Sequence, residues 1–296
     1  MTHESTRVGA AMGPPTVSPT YPEPDRRFGF GKNWASFLNV VNENRIVEAE
    51  RSLREMIGTE RIAGSTFLDV GCGSGLFSLA AMRLGARRVH SFDVDPNSVA
   101  CARELRRRYF AAADEWTVEG ASVLDERYFE SLGMWDVVYS WGVLHHTGSM
   151  WSAIEQVTRG VAPSGVLFIS IYNDQGGISR VWTAVKRQYN RSWLGKASVV
   201  AVFVPYFAGR GLVTDIMRRR NPLNRYRDYH QSRGMSVVHD WIDWLGGYPF
   251  EVAKPDEIFD FCSQRGFTLQ KLVTRGGTLG CNEFVFRRQR ERPWTT

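Results

Sequence analysis

Cysteine is scarce in this chain: four residues in 296, at positions 72, 101, 262 and 281, with no C-x-x-C pair and no metal-ligand spacing. That excludes a disulfide framework and a cysteine-built metal site, and free thiols fit a reducing, cytoplasmic setting. Long apolar runs are lacking too. The longest, 197–208, holds twelve residues including Pro205, short of the roughly 20 needed to cross a bilayer. It reads as a buried or interfacial helix, and no transmembrane segment is expected. Residues 1–27 are rich in Pro, Thr and Ser without an apolar core, which predicts a disordered lead-in rather than a signal peptide. No internal repeat is present, so a solenoid is excluded.

With 43% apolar residues the chain can bury a sizeable core. The net charge of +6 is unevenly placed: 176–254 carries 13 Lys/Arg against 5 Asp/Glu, leaving 24 against 26 elsewhere. One segment therefore holds the positive charge.

The most telling stretch is Phe67-Leu68-Asp69-Val70-Gly71-Cys72-Gly73-Ser74-Gly75. An apolar, β-prone run ends at an acid, three glycines alternate, and a helix-forming run starts at Leu76. Glycines so spaced let the backbone turn tightly and approach a ligand where a Cβ would clash, and the next helix offers its unpaired N–H groups to the loop. The G-x-G-x-G spacing differs from the G-x-G-x-x-G of pyrophosphate-binding folds. A carboxylate at Asp69 suits a cationic ligand rather than a diphosphate. A second strand ends in Asp93, 18 residues past Gly75, where an acid can accept from both hydroxyls of a ribose.

Together with Phe92-Asp93-Val94-Asp95, this motif resembles the class I S-adenosylmethionine-dependent methyltransferases, in their bacterial small-molecule, quinol-type branch. The resemblance implies an α/β, Rossmann-like, seven-stranded, mostly parallel sheet with helices on both faces and a terminal hairpin. It also implies S-adenosyl-L-methionine (SAM) as cofactor, with Asp69, Gly71, Gly73 and Gly75 toward the methionine part and Asp93 toward the ribose. The adenine position falls on Ser122, Val123 and Asp125, a departure from the usual acid, and loop and helix-capping duty is an equal alternative there. Ser140 would meet the cofactor's amino group through its backbone.

Alternating periodicity agrees with a parallel sheet. It predicts an N-terminal helix over about 34–56, strands at 66–70, 89–92, 116–119, 136–141 and 166–172, then helix 255–264 and strands 268–274 and 282–287. Residues 28–175 would form the N-terminal helix and cofactor-binding part, 176–254 a basic, aromatic substrate-lid insertion, and 255–296 the completion of the same sheet.

His145 and His146 follow the fourth strand at the rim of the expected site. A histidine there, with an ordinary pKa near 6.5, could take a proton from a substrate hydroxyl, or one ring could pack on the sheet and the other cap a turn. Tyr172, with Asn173 and Asp174, could orient a polar substrate or form a self-bonded turn. His239-Asp240 offers a further base or a helix start. Lys32 and Trp34 could touch the cofactor or staple the first helix. The lid's arginines and aromatics suit an anionic or ring-bearing small-molecule acceptor. They would also suit RNA, and the Ser140–His146 stretch resembles transferases of the transfer-RNA wobble uridine as well. A non-catalytic SAM-binding module is the remaining alternative.

Overall fold

In the computed structural model, residues 41–112, 114–219, 237–276 and 280–290 are described, together with Leu38 and Asn221. Seven strands form one sheet in the order β3-β2-β1-β4-β5-β7-β6. They are β1 Thr66–Val70, β2 Arg88–Asp93, β3 Trp116–Gly120, β4 Trp135–Trp141, β5 Val161–Tyr172, β6 Phe267–Val273 and β7 Cys281–Arg288. The first five run parallel, and β7 enters antiparallel between β5 and β6. The expected Rossmann-like, seven-stranded fold with its terminal hairpin is what the chain adopts.

Period-two alternation sorts the core into two layers. Leu68, Val70, Phe92, Val138, Leu167 and Ile169 face helices α5 (Met150–Arg159) and α9 (Pro255–Ser263). Phe67, Val89, Val137, Tyr139 and Phe168 face α1 (Glu43–Met56), α2 (Leu76–Arg83) and α3 (Pro96–Tyr109). Helix α1 begins at Asn42, whose Oδ1 accepts from the Arg45 N–H at 3.1 Å. The expected start near 34 falls partly on residues outside the description. Asp95 caps α3 by accepting from the Asn97 N–H at 2.8 Å, with Pro96 at the first helical position. Strand β5 starts five residues before its expected position. Residues 162–165, whose Ala-Pro-Ser-Gly sequence reads as a turn, form a bulge inside the strand, between the Trp135–Val161 and Val137–Val166 pairs.

After β5 come α6 (Gly177–Arg191), α7 (Trp193–Met217) and α8 (Val237–Gly246). They share a small core of Tyr189, Val199 and Leu245, ringed by Trp182, Phe203, Phe207, Ile242 and Trp244. The twelve-residue apolar run proves to be part of α7, a single helix of 25 residues that contains Pro205. By length and composition alone it could cross a membrane. The expectation that this stretch is too short is thereby corrected: the helix extends beyond the run on both sides. It is also largely exposed, with 11% of its apolar window buried, so a buried helix is ruled out.

Candidate active site

The carboxyl ends of β1 and β2 frame a cavity of about 740 Å³ at the point where strand order reverses, the usual ligand position in open α/β sheets. Gly71, Gly73 and Gly75 all adopt left-handed backbone. At Gly71 a Cβ would lie 2.4 Å from Val143 Cγ1, and at Gly75 one would lie 2.9 Å from Ala102 Cβ. Both conformation and space therefore require glycine at 71 and 75.

Asp93 fastens the turn: its Oδ2 accepts from the Gly73 N–H at 2.9 Å, its Oδ1 from the Asp95 N–H at 2.8 Å. Burial raises its pKa, against the pull of these N–H donors. Each carboxylate oxygen has a second lone pair to offer a ligand hydroxyl.

Asp69 is 2% exposed. Its Oδ2 accepts from Ser78 Oγ at 2.5 Å. Behind Ser78 stands Ser91 at 2.7 Å, which accepts from Trp116 Nε1 at 2.9 Å. The donors run in one direction, from the indole through two hydroxyls to the carboxylate. Burial pushes the Asp69 carboxyl up to about 7, opposed by the Ser78 hydrogen bond and reinforced by Asp93. It sits on the threshold of ionisation at neutral pH, where a nearby cation would tip it to the charged form.

The cavity brings together Asp69, Gly71, Gly73, Asp93, Ser122, Val123 and His146. Other expected residues lie outside its lining. Gly75 begins α2 and packs on α3. Ser140 turns inward, donating from Oγ to the Val70 carbonyl at 3.0 Å. Asp125 accepts from the Tyr128 N–H at 3.1 Å and caps helix α4 (Glu126–Ser131), so the capping alternative describes its side chain. Ser122 Oγ accepts from the Leu124 N–H at 3.2 Å while still facing the cavity.

His145 and His146 occupy one turn of 3-10 helix, Leu144–His146, and separate in role. His145 is wholly buried, with neither ring nitrogen hydrogen-bonded among the described residues. Its ring lies 4.1 Å from that of Tyr172, and burial, with the neighbouring His146, holds its pKa well below the ordinary value. It is a packed, neutral ring. His146 reaches the cavity, and its Nδ1 donates to the Pro249 carbonyl at 2.6 Å. A carbonyl can only accept, so Nδ1 carries the proton and Nε2 is the basic nitrogen. Burial lowers its pKa to about 4, partly offset by that carbonyl. Tyr172 stacks between the histidines, Phe250 and Trp244. It supports the histidine turn instead of lining the cavity. Asp174 forms the self-bonded turn, accepting from the Gly176 N–H at 2.8 Å.

Sequence reasoning passed over Ser78 and the lid's return limb. Tyr248 lines the cavity. The Glu251 carboxylate accepts from the Met150 N–H at 3.1 Å, and the Glu251 N–H donates to the His145 carbonyl at 2.9 Å. Neither contact leaves a local motif, although small hydroxyls at 78 and 91 next to an acid-ended strand were a readable hint. The side chains of His239 and Asp240, Arg220, Arg225, Arg227, Arg233, Lys32 and Trp34 lie outside the described residues. A larger open groove of about 960 Å³, lined by Arg287, Arg288 and Arg290, lies at the amino ends of β5 and β6 and holds none of the motif residues.

The cavity fits SAM. Its volume lies within the roughly 300–1,000 Å³ of small-molecule sites, its glycine cradle leaves no room for Cβ at Gly71, and its buried acid suits a cationic sulfonium. Residues 68–167 match the family model for a methyltransferase domain. A ubiquinone biosynthesis O-methyltransferase from Methylobacterium sp. (strain 4-46) is 30% identical over 122 residues, 40% of this chain and 46% of the relative. A ribosomal protein L11 methyltransferase from Thiobacillus denitrificans is 54% identical over 41 residues, 14% of each chain. This chain thus spans less than half the length of these curated relatives. Magnesium protoporphyrin IX methyltransferase from Synechocystis PCC 6803, solved with bound SAH, shares the fold at a TM-score of 0.51, with 14% identity over 87% of this chain and 95% of that one. Residues 68–167 thus carry a methyltransferase domain, within a fold that a SAH-binding methyltransferase shares.

Proposed function

We propose that the protein transfers a methyl group from SAM to an oxygen of a small or medium-sized cytoplasmic metabolite: a phenol or quinol, a sugar hydroxyl, or a secondary metabolite. The observation that carries this reading is His146, its Nδ1 held by the Pro249 carbonyl, in the same cavity as the glycine turn and Asp93. When bound, the cofactor supplies a methyl group on a positively charged sulfur. Asp93 would accept from the ribose hydroxyls, ionised Asp69 would sit on the side of the positive charge, and the backbone at Ser122 and Val123 would border the adenine.

His146 would remove the acceptor's proton. A pKa of about 4 leaves the ring neutral and able to accept throughout the physiological range. Such a weak base cannot deprotonate a free hydroxyl outright. The hydroxyl proton would become strongly acidic as its oxygen accepts the methyl group, and neutral imidazole would then take it. The Pro249 carbonyl stabilises the imidazolium so formed. Trp141, Phe77 and Tyr248 give the cavity an aromatic border suited to a ring-bearing acceptor.

Calorimetry with SAM followed by labelled methyl transfer to phenol, quinol and sugar acceptors tests the reading. Binding with label in one of these acceptors is the expected result. Label entering transfer RNA instead would overturn the small-molecule assignment, and binding without transfer to any acceptor would leave a SAM-binding module.

A further inference from the structure

Helix α7 rests on the rest of the lid along one side, with Val200, Phe203, Val204 and Phe207 half-buried against its core. Gly195, Val199, Gly211 and Asp215 are its buried residues, spaced at multiples of four. The opposite side is apolar and open to solvent: Val202 is 63% exposed, Ile216 62% and Met217 79%, with Trp193, 77% exposed, in the helix's first turn. Leu194, Tyr206, Leu212 and Val213 extend the same face, and Ile178 and Val181 add to it on α6. A water-facing surface of this extent marks a docking site.

Charge says what it docks on. Residues 176–219 hold eight Lys/Arg and a single acid, Asp215, which is buried. The bases bracket the apolar stripe. Arg191 and Lys196 stand beside Trp193 and Leu194, and Arg218 and Arg219 follow Ile216 and Met217; all four are exposed. The next stretch, 220–236, adds four arginines against one aspartate. An apolar helical face ended by tryptophan and rimmed by bases matches the interface of a bilayer with anionic headgroups.

Crossing the bilayer is a different matter. The buried stripe of α7 packs on α6 and α8. Insertion would strip it from Tyr189 and Leu245, or drag Arg180, Lys186, Arg187 and Arg191 of α6 into hydrocarbon.

We propose that the α6–α7 face of the lid docks in the plane of an anionic membrane surface, with α7 lying along it. The return limb of the same lid supplies Tyr248 to the cavity and the Pro249 carbonyl to His146, so the docked face and the candidate site belong to one structural unit. The inference goes beyond methyl transfer and stands without it, because vesicle binding needs neither donor nor acceptor.

Flotation of the full chain with phosphatidylcholine vesicles, with and without phosphatidylglycerol, tests it. The protein should float with the anionic vesicles, less with the neutral ones, and less again as salt is raised. Val202→Asp with Ile216→Asp should abolish flotation while thermal unfolding stays native. Should that double variant fail to fold, Arg191→Gln and Arg218→Gln keep the apolar face intact, and each should weaken binding about fivefold. Failure of the wild type to float with anionic vesicles would overturn the proposal. So would a concentration-dependent dimer, lost in the double aspartate variant, without any vesicle binding, since the face would then belong to a second copy.

Discussion

The glycine turn and the lid reach the same cavity by opposite physical means. In the turn, polar groups are satisfied by partners on adjoining strands and helices: Gly73 by Asp93, and Asp69 through Ser78 and Ser91 to Trp116. Among the described residues, the lid's own small core is built on Tyr189, Val199 and Leu245, beside an exposed apolar helix. Its return limb ties it to the sheet at Pro249, Glu251 and Ala253. The donor side of the site is thus built from short, dense contacts that hold one geometry, and the acceptor side from a few long-range ones that can be altered without touching the cradle. In the function proposed, one region would hold a cofactor of fixed shape. The other can be remade for a different acceptor or surface.

Substitution can break that division. The largest effect belongs to His146→Ala, expected to lower kcat by about 10²–10⁴-fold while calorimetry shows cofactor affinity unchanged. An equal loss of affinity would mean that the two sides are not separable. Gly71→Ala should do the reverse, striking the cradle. The new methyl group meets Val143, an overpacking worth about 1–3 kcal/mol, in a left-handed conformation costing about 1–2 kcal/mol more. Thermal unfolding should register the loss, with cofactor binding weakened alongside.

Glu251→Ala leaves the buried end of α5 without its acceptor, at a cost of about 1–3 kcal/mol. Hydrogen exchange at 145–150 should rise and the acceptor KM increase, with cofactor affinity kept. A uniform loss of stability would instead show the return limb to be part of the sheet domain's cooperative core.

The smallest effect is the titration of Asp69. Burial raises its pKa from 3.8 to about 7, so it is protonated below that pH and ionised above it. Affinity for the positively charged cofactor should therefore weaken as pH falls below about 7, by at most about tenfold per pH unit, and Asp69→Asn should flatten the profile. Without ligand the sign runs the other way. Between about pH 4 and 7 the folded chain keeps a proton that the unfolded chain has released, so this group's contribution to stability declines as pH rises through that window.

The sheet was legible in local pattern. Strand β1 falls on its expected residues, α3 carries its Asp95-Pro96 start in plain view, and β6 and β7 lie within a residue or so of expectation. Misreadings came where a distant partner overrides local chemistry. Pro163, Ser164 and Gly165 look like a turn but ride within β5 because β4 pairs on both sides of them. The apolar run 197–208 reads as a short helix, yet α7 continues beyond both its ends.

The chain by itself determined the glycine turn, because a tight turn of glycines between an acid-ended strand and a helix needs only neighbours in sequence, and Asp93 follows one βα unit later. It also determined that positive charge and aromatic rings gather in 176–254. Only the tertiary structure decided between the two histidines, burying His145 against the Tyr172 ring and aiming His146 at the cavity by a carbonyl 103 residues away. Only it set the apolar face of α7 outward, since which side of a helix meets protein depends on what packs against it, and that is not written in the helix.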